Sequence, residues 1–252
     1  KLQSKYFTIV FDAGAKTFRN EIDSSYKANR GLPPDDLRPQ FDLLHRAAQE
    51  LGFRVFRKIG YEADDLVATL ATHFSKNGIP VKMVTNDKDV AQLVTDSPTA
   101  VQQVLYFKKL ILGEKEIYES FGVRPDQFID FQALIGDTSD NISGVKGIGK
   151  KSAAGLFAHF RDLASIYDGL EEVLSLPIRG AKSLKTKLEN GKEDAYLSKR
   201  LVTLDCAVPI EIGAAESFRY QGPLDTGEEF FESLGFVWPL HKLQKYADNQ
   251  SF

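Results

Sequence analysis

Cysteine is almost absent: Cys206 stands alone in 252 residues, so neither an internal disulfide nor a cysteine-based zinc site can form. That scarcity fits a reducing compartment, and the expected location is intracellular, in cytoplasm or nucleoid, or in an organelle if the source is eukaryotic. Long apolar runs are missing too. No stretch approaches the ~20 apolar residues of a membrane span. The opening Lys1-Leu2-Gln3-Ser4-Lys5-Tyr6 has no apolar signal core, so no membrane association is expected. There is no internal repeat and no low-complexity tract. With 42% hydrophobic, 27% charged and 11% aromatic residues, the composition excludes a disordered or fibrous chain. It leaves a globule of one large domain, or one with a smaller appendage.

What is present alternates as α/β in the first half. Tyr6 to Phe11, Phe53 to Ile59 and Val81 to Thr85 are short β-branched and aromatic runs that predict strands. Between them, Leu37, Phe41, Leu44, Ala47, Ala48 and Leu51 recur at helical spacing until Gly52, as do Leu66, Leu70, Ala71 and Phe74 before Asn77-Gly78. Strands separated by helices imply a mostly parallel sheet with flanking helices. Strand signals stop near residue 112. Gly113 to Phe121, Arg124 to Ile135, Lys150 to Phe160 and Leu184 to Leu201 then read as helices. The expected organisation is an α/β core over 1–112, a helical subdomain over 113–212 and a tail over 213–252, containing Trp238, that packs on the core.

Ligands of a parallel sheet bind beyond the carboxyl ends of its strands, and there the sequence is acidic. Asp12 follows the first run, Glu62, Asp64 and Asp65 the second, Asp87 and Asp89 the third; Asp137 and Asp140 come from the helical half. Taken singly, each group has a plain structural use: Asp64-Asp65, Asp137 and Asp140 as helix caps, Asp87 and Asp89 as turn formers. Recurrence at every strand end is what that use explains poorly. If the eight converge they cannot all stay ionised unaided, so cations are the natural compensation. Hard oxygen ligands without His or Cys point to Mg²⁺ or Mn²⁺, and two such ions can hydrolyse a phosphodiester.

Net charge is −3, but the basic residues are unevenly spread. Arg179 to Arg200 holds seven basic residues against three acidic ones, and Gly144 to Lys151 holds three lysines and no acid. The run Gly144-Val145-Lys146-Gly147-Ile148-Gly149-Lys150-Lys151-Ser152 nearly imitates a P-loop, but Lys151 stands where a Ser or Thr should be, and no buried strand precedes it. A glycine hairpin between helices instead offers backbone N–H groups and lysines to a phosphate without reading sequence. Its plain alternative is a helix-helix turn with a solvated lysine face. Between Asp12 and the first long helix, a helical wheel puts Phe18, Ile22 and Tyr26 on an apolar stripe and Arg19, Lys27 and Arg30 on a basic face. Such a helix could hold a single strand, or be an ordinary amphipathic surface helix.

In order, Phe11-Asp12-Ala13, Tyr61-Glu62-Ala63-Asp64-Asp65, Thr85-Asn86-Asp87-Lys88-Asp89 and Gly136-Asp137-Thr138-Ser139-Asp140-Asn141 resemble the motifs of a known family. The chain looks like the 5′-nuclease domain of bacterial DNA polymerase I and the related phage and cellular flap endonucleases, from about Val10 to Leu204. The resemblance implies a PIN-like 5′-nuclease fold with a helix-hairpin-helix near 140–160 and a basic arch near 14–36. It implies two Mg²⁺ or Mn²⁺ ions, one served by Asp12, Glu62, Asp64, Asp65 and Asp87, the other by Asp89, Asp137 and Asp140, with K⁺ at the hairpin. It assigns Asp12, Lys16 and Arg19 to catalysis. Lys16, Arg19, Tyr26, Lys27 and Arg30 would steer the 5′ end, and Gly144, Lys146, Gly147, Gly149, Lys150, Lys151 and Ser152 would grip duplex DNA. The implied partners are DNA 5′ ends, 5′ flaps and duplex–single-strand junctions, met by a monomer. The implied activity is 5′–3′ exonucleolytic and 5′-flap endonucleolytic cutting in primer removal or repair.

One departure stands out. The family has an earlier strand ending in a further metal-binding Asp, whereas this chain begins just before the strand at Tyr6 to Phe11. Either a preceding piece belongs to the natural protein, or this version lacks a central strand and a ninth carboxylate. The alternative function is therefore a catalytically impaired protein that binds flaps or junctions without cutting them. An RNA-directed nuclease of the broader PIN-like group is a third reading, to which the duplex-gripping hairpin is less suited.

Overall fold

The computed structural model describes residues 4–14 and 16–236. Trp238 and the end of the expected tail lie outside them. The described chain forms two compact units, one from the residues before Lys16, Gly31–Leu66 and the residues from Val208 on, the other from Lys16–Arg30 and Val67–Ala207. In chain order the elements are β1 (Thr8–Val10), α1 (Phe18–Ile22), α2 (Arg38–Glu50), β2 (Arg54–Phe56), α3 (Ala63–Lys76), β3 (Val81–Val84), β4 (Val101–Leu105) and β5 (Leu110–Leu112). There follow α4 (Glu114–Phe121), α5 (Phe128–Ile135), α6 (Lys150–Phe157), α7 (Leu163–Asp168), α8 (Ala181–Asn190), α9 (Lys192–Val202) and α10 (Gly227–Ser233).

In the first unit β1 and β2 pair in parallel, Thr8 opposite Arg54 and Val10 opposite Phe56. The segment after Val208 closes over them. Phe218 stacks on Phe56 with ring centroids 5.8 Å apart, and Tyr220 stacks on Phe53 while its hydroxyl donates to the Leu51 carbonyl at 2.9 Å. α10 packs on α2, with the Arg46 guanidinium 4.6 Å from the Phe230 ring centre. The helical spacing of α2 is as expected, but Phe41 and Leu44 are exposed rather than core; Ala48 is the buried position of that stripe.

The second unit holds the larger core. β3 pairs with β4 in parallel, Val81 opposite Val101, and β4 with β5 antiparallel, Leu105 opposite Leu110. α5, Phe-Ile-Asp-Phe-Gln-Ala-Leu-Ile, is apolar nearly all round, as a helix buried on most faces must be, and packs against α6 and α9. Phe128, Phe131 and Leu134 on it are fully buried with Leu156, Leu163, Ile166 and Leu188, each phenylalanine contributing about 2–3 kcal/mol through its burial.

Three local expectations change. The helix expected over Leu184 to Leu201 is two, α8 and α9, because the chain turns at Gly191, where a Cβ would lie 2.6 Å from Val145 Cγ1. The helix expected through Tyr26 stops at Ile22: Asp23 is extended at φ −146°, and Lys27 takes φ +56°. Phe18, Ile22 and Tyr26 therefore form no helical stripe, although Tyr26 and Ile22 still pack with Ile142, Leu201 and Val202. Strands β4 and β5 went unread because their hairpin lacks the usual turn residues; Lys109 takes the left-handed position, φ +54°, that Gly or Asn normally fills.

Candidate metal centre

β3 ends at Val84 and the chain enters Thr85-Asn86-Asp87-Lys88-Asp89. The loop is stitched by short bonds. Thr85 Oγ1 accepts from the Asp87 amide at 3.0 Å, Asp87 Oδ1 accepts from the Asp89 amide at 2.9 Å, and Gln103 Nε2 on β4 donates to the Thr85 and Asp87 carbonyls at 3.1 and 2.7 Å. A second loop leaves α5 at Gly136, and Asp137 and Ile142 close it by exchanging backbone hydrogen bonds of 2.8 Å. The closeness of this turn demands glycine: Gly144 has φ +61°, and a Cβ there would sit 2.3 Å from the Gly136 nitrogen.

These loops bring Asp89, Asp137 and Asp140 together, with one oxygen of each within 4.8 Å of the others. Among the described residues no other trio of acids is so grouped; Asp12, Glu62, Asp64, Asp65 and Asp87 stand outside it. Each member is held by neighbours. Gln132 Nε2 donates to Asp89 Oδ1 at 2.6 Å, and Ser139 donates to Asp137 Oδ1 through its amide at 2.8 Å and its hydroxyl at 2.7 Å. Asp140 accepts from the Tyr26 hydroxyl at 3.1 Å and from Arg30 Nη2 at 2.5 Å, with Lys27 Nζ 3.6 Å away.

A cation already sits in the cluster. Lys88 Nζ lies 3.3 Å from Asp89 Oδ1 and pairs with Asp137 Oδ2. Burial pushes the lysine pKa down, but Asp89 and Asp137 more than reverse this and hold it above the ordinary value. Burial raises the Asp89 pKa above its ordinary value, opposed by Lys88 and helped by the nearby charge of Asp87. Asp137 moves the other way: burial would raise it, but the hydrogen bonds from Lys88 and Ser139 win and lower it. All the donors are carboxylate oxygens, which suits a hard divalent ion, and the ammonium shows that the pocket accepts positive charge. Lys88→Met is expected to tighten Mn²⁺ binding about tenfold, read by electron paramagnetic resonance, because it removes a competing charge. Equal or weaker binding would show that Lys88 is no competitor.

Asp87 is exposed in the loop after β3, in the second unit, whereas Asp12, Glu62, Asp64 and Asp65 lie in the first. Asp12 follows β1 and its Oδ1 accepts from the Ala63 amide at 2.8 Å, capping α3; Asp65, fully buried, accepts from the Glu62 amide at 3.1 Å. Glu62 and Asp64 are half-buried beside them. At least part of this group's oxygen capacity thus serves the helix N-terminus.

Arg19 is a buried structural residue and not part of a basic surface. It is 1% exposed, its Nε donates to the Leu201 carbonyl at 2.8 Å and its Nη2 to the Thr203 carbonyl at 3.0 Å. It caps the carboxyl end of α9, and no basic face with Lys27 and Arg30 exists because α1 is too short. Lys16 is exposed. Lys27 and Arg30 join the Asp140 loop, where Asn29 Nδ2 also donates to the Thr138 carbonyl at 2.8 Å. In the glycine run, Val145 and Ile148 are buried anchors, and Lys146, Gly147, Gly149, Lys150 and Lys151 are exposed at the start of α6. Gly144 is buried, which gives it a packing role instead of a surface one. Lys187 Nζ donates to the Gly147 carbonyl at 2.9 Å. Lys88, Gln103 and Gln132 are further site residues that no motif in the sequence marks. The lysine was findable, since it lies between two of the chosen aspartates; the glutamines carry no local signal.

Residues 1–122 match the family described as 5′-3′ exonuclease, N-terminal resolvase-like domain, and residues 123–226 match 5′-3′ exonuclease, C-terminal SAM fold. The chain belongs to the 5′-3′ exonuclease family. A 5′-3′ exonuclease of Buchnera aphidicola subsp. Schizaphis graminum is 39% identical over 213 residues, covering 84% of this chain and 73% of that protein. DNA polymerase I of Pseudomonas aeruginosa is 44% identical over 207 residues, 82% of this chain but 22% of the polymerase. A crystal structure of the bacteriophage T5 flap endonuclease, in a pseudo-enzyme-product complex with DNA and metal ions, superposes with a TM-score of 0.63 at 25% identity, covering 96% of this chain and 83% of that one. The family and the PIN-like α/β fold are those the motifs implied, and the helical part expected after them matches a SAM-type fold. Among the described residues no helix is long and apolar enough to cross a membrane.

Proposed function

We propose that the chain is a metal-dependent 5′-nuclease that hydrolyses DNA phosphodiesters exonucleolytically from 5′ ends and endonucleolytically at 5′ flaps, in primer removal or repair. The observation that carries this reading is the meeting of Asp89, Asp137 and Asp140, with the Lys88 ammonium paired to the first two. Mg²⁺ or Mn²⁺, when bound, supplies an activated water and neutralises charge developing on the phosphate. The chain's own residues do the positioning. Asp89, Asp137 and Asp140 would hold one ion, and Asp12, Glu62, Asp64, Asp65 and Asp87 are assigned to the second. Gln132 and Ser139 orient the first two carboxylates, while Tyr26 and Arg30 orient the third. Lys16, exposed ahead of α1, is assigned to the scissile phosphate.

DNA would be gripped by the backbone amides at the start of α6 with Lys146, Lys150 and Lys151, contacts that carry no sequence information. Lys146→Ala with Lys150→Ala is expected to weaken duplex binding whatever the sequence and to lower the salt slope by about two. Unchanged affinity and slope in fluorescence anisotropy would reduce the hairpin to a turn. The reading as a whole is tested with a labelled 5′-flap duplex and Mg²⁺: short 5′ products that vanish with EDTA are expected. Binding without product in both Mg²⁺ and Mn²⁺ would instead identify a non-cutting junction binder.

A further inference from the structure

The tip of the β4–β5 hairpin, residues 106–109, has no part in the site described above. Tyr106 is 65% and Phe107 85% exposed, and their rings meet edge to face with centroids 5.8 Å apart. Lys108 and Lys109 follow directly, both exposed, and no acidic residue occurs from Ser97 to Gly113. Two solvated aromatic faces on a tight turn are costly to maintain unless something covers them.

The topology says where this tip is. β3 and β4 run in parallel with Val84 opposite Val104, so the chain leaves both strands at the same end of the sheet. From β3 it enters the loop of Asp87 and Asp89; from β4 it enters Tyr106 and Phe107. Gln103, just before the tip, donates to the carbonyls of Thr85 and Asp87 and ties the two exits together. The hairpin thus stands at the ligand-binding end of the sheet, on the same edge as the candidate metal ligands.

We infer that Tyr106 and Phe107 are a stacking platform for unpaired bases of the nucleic-acid substrate, with Lys108 and Lys109 holding the adjoining phosphates. The inference rests on the nuclease reading and adds to it a single-strand site. Exposed rings next to uncompensated lysines match a base and its phosphate, and such contacts tolerate any sequence because every base has a π-face. A second copy pairing along β5 is the competing occupant, but β5 is three residues long and the lysines of two copies would face each other.

The test uses the full chain with Ca²⁺ in place of Mg²⁺, a fluorescein-labelled single strand, a blunt duplex, and a 5′-flap substrate carrying 2-aminopurine in its arm. Tyr106→Ser with Phe107→Ser is expected to weaken single-strand binding roughly tenfold or more and to abolish the change in 2-aminopurine emission, with blunt-duplex affinity unchanged. Lys108→Gln with Lys109→Gln is expected to flatten the salt dependence of single-strand binding while keeping the emission change. Both lie on the surface, so an unchanged melting temperature confirms the fold. If the wild type cuts flaps once Mg²⁺ replaces Ca²⁺, and the aromatic variant binds and changes 2-aminopurine emission as the wild type does, the platform falls and the nuclease reading stands. If the wild type neither binds nor cuts DNA, both fall. A wild-type dimer that the aromatic variant loses, with DNA affinity intact, would also overturn the inference.

Discussion

Asp137→Asn is expected to cut Mg²⁺-dependent flap cleavage by at least about 100-fold, and Asp89→Asn to do the same, since each removes a charged ligand from a cluster whose chemistry is electrostatic. The two should part company in stability. The Asp137 carboxyl is held below its ordinary pKa by Lys88 and Ser139, so its ionised form stabilises the metal-free fold at neutral pH, and that contribution disappears as pH falls through the lowered value. The Asp89 carboxyl is held above its ordinary pKa, chiefly by burial, so its ionised form destabilises the fold above the unfolded-state value. In EDTA at neutral pH, Asp137→Asn is therefore expected to melt lower than wild type, and Asp89→Asn at or above it. Parallel melting shifts would mean that Lys88 and burial do not divide the two acids as described.

The largest expected loss of stability is at Arg19. Arg19→Met keeps much of the apolar stem that packs in the buried site, but leaves the carbonyls of Leu201 and Thr203 without the donors they have. The cost is expected to be about 3 kcal/mol, a fall in Tm of roughly 5–10 °C for a chain of this size. The melting curve separates this role from the one the arch resemblance implied. A variant that melts like wild type but fails on DNA would return Arg19 to the substrate.

The cluster was legible because its members sit where topology sends ligands, directly after β3 and at the exit of α5. Asp89, Asp137 and Asp140 are among the eight acids that position singles out, the family resemblance is what groups them as one site, and they come within reach of one another. Arg19 was misjudged because its meaning depends on carbonyls more than 180 residues away, which no local pattern encodes. The wheel that paired it with Lys27 and Arg30 assumed a helix that ends at Ile22. Strands β4 and β5 were hidden for a related reason: a lysine in a left-handed position disguises the turn that joins them. Gly191 was read as part of a helix because the residue that forbids a side chain there, Val145, is distant in sequence.

The most direct measurement is anomalous diffraction from crystals of the full chain soaked in Mn²⁺. A peak within coordination distance of Asp89, Asp137 and Asp140, with Lys88 Nζ moved off Asp137, is the expected result. A soaked crystal with Lys88 still between Asp89 and Asp137, and no peak among the three carboxylates, would contradict the account.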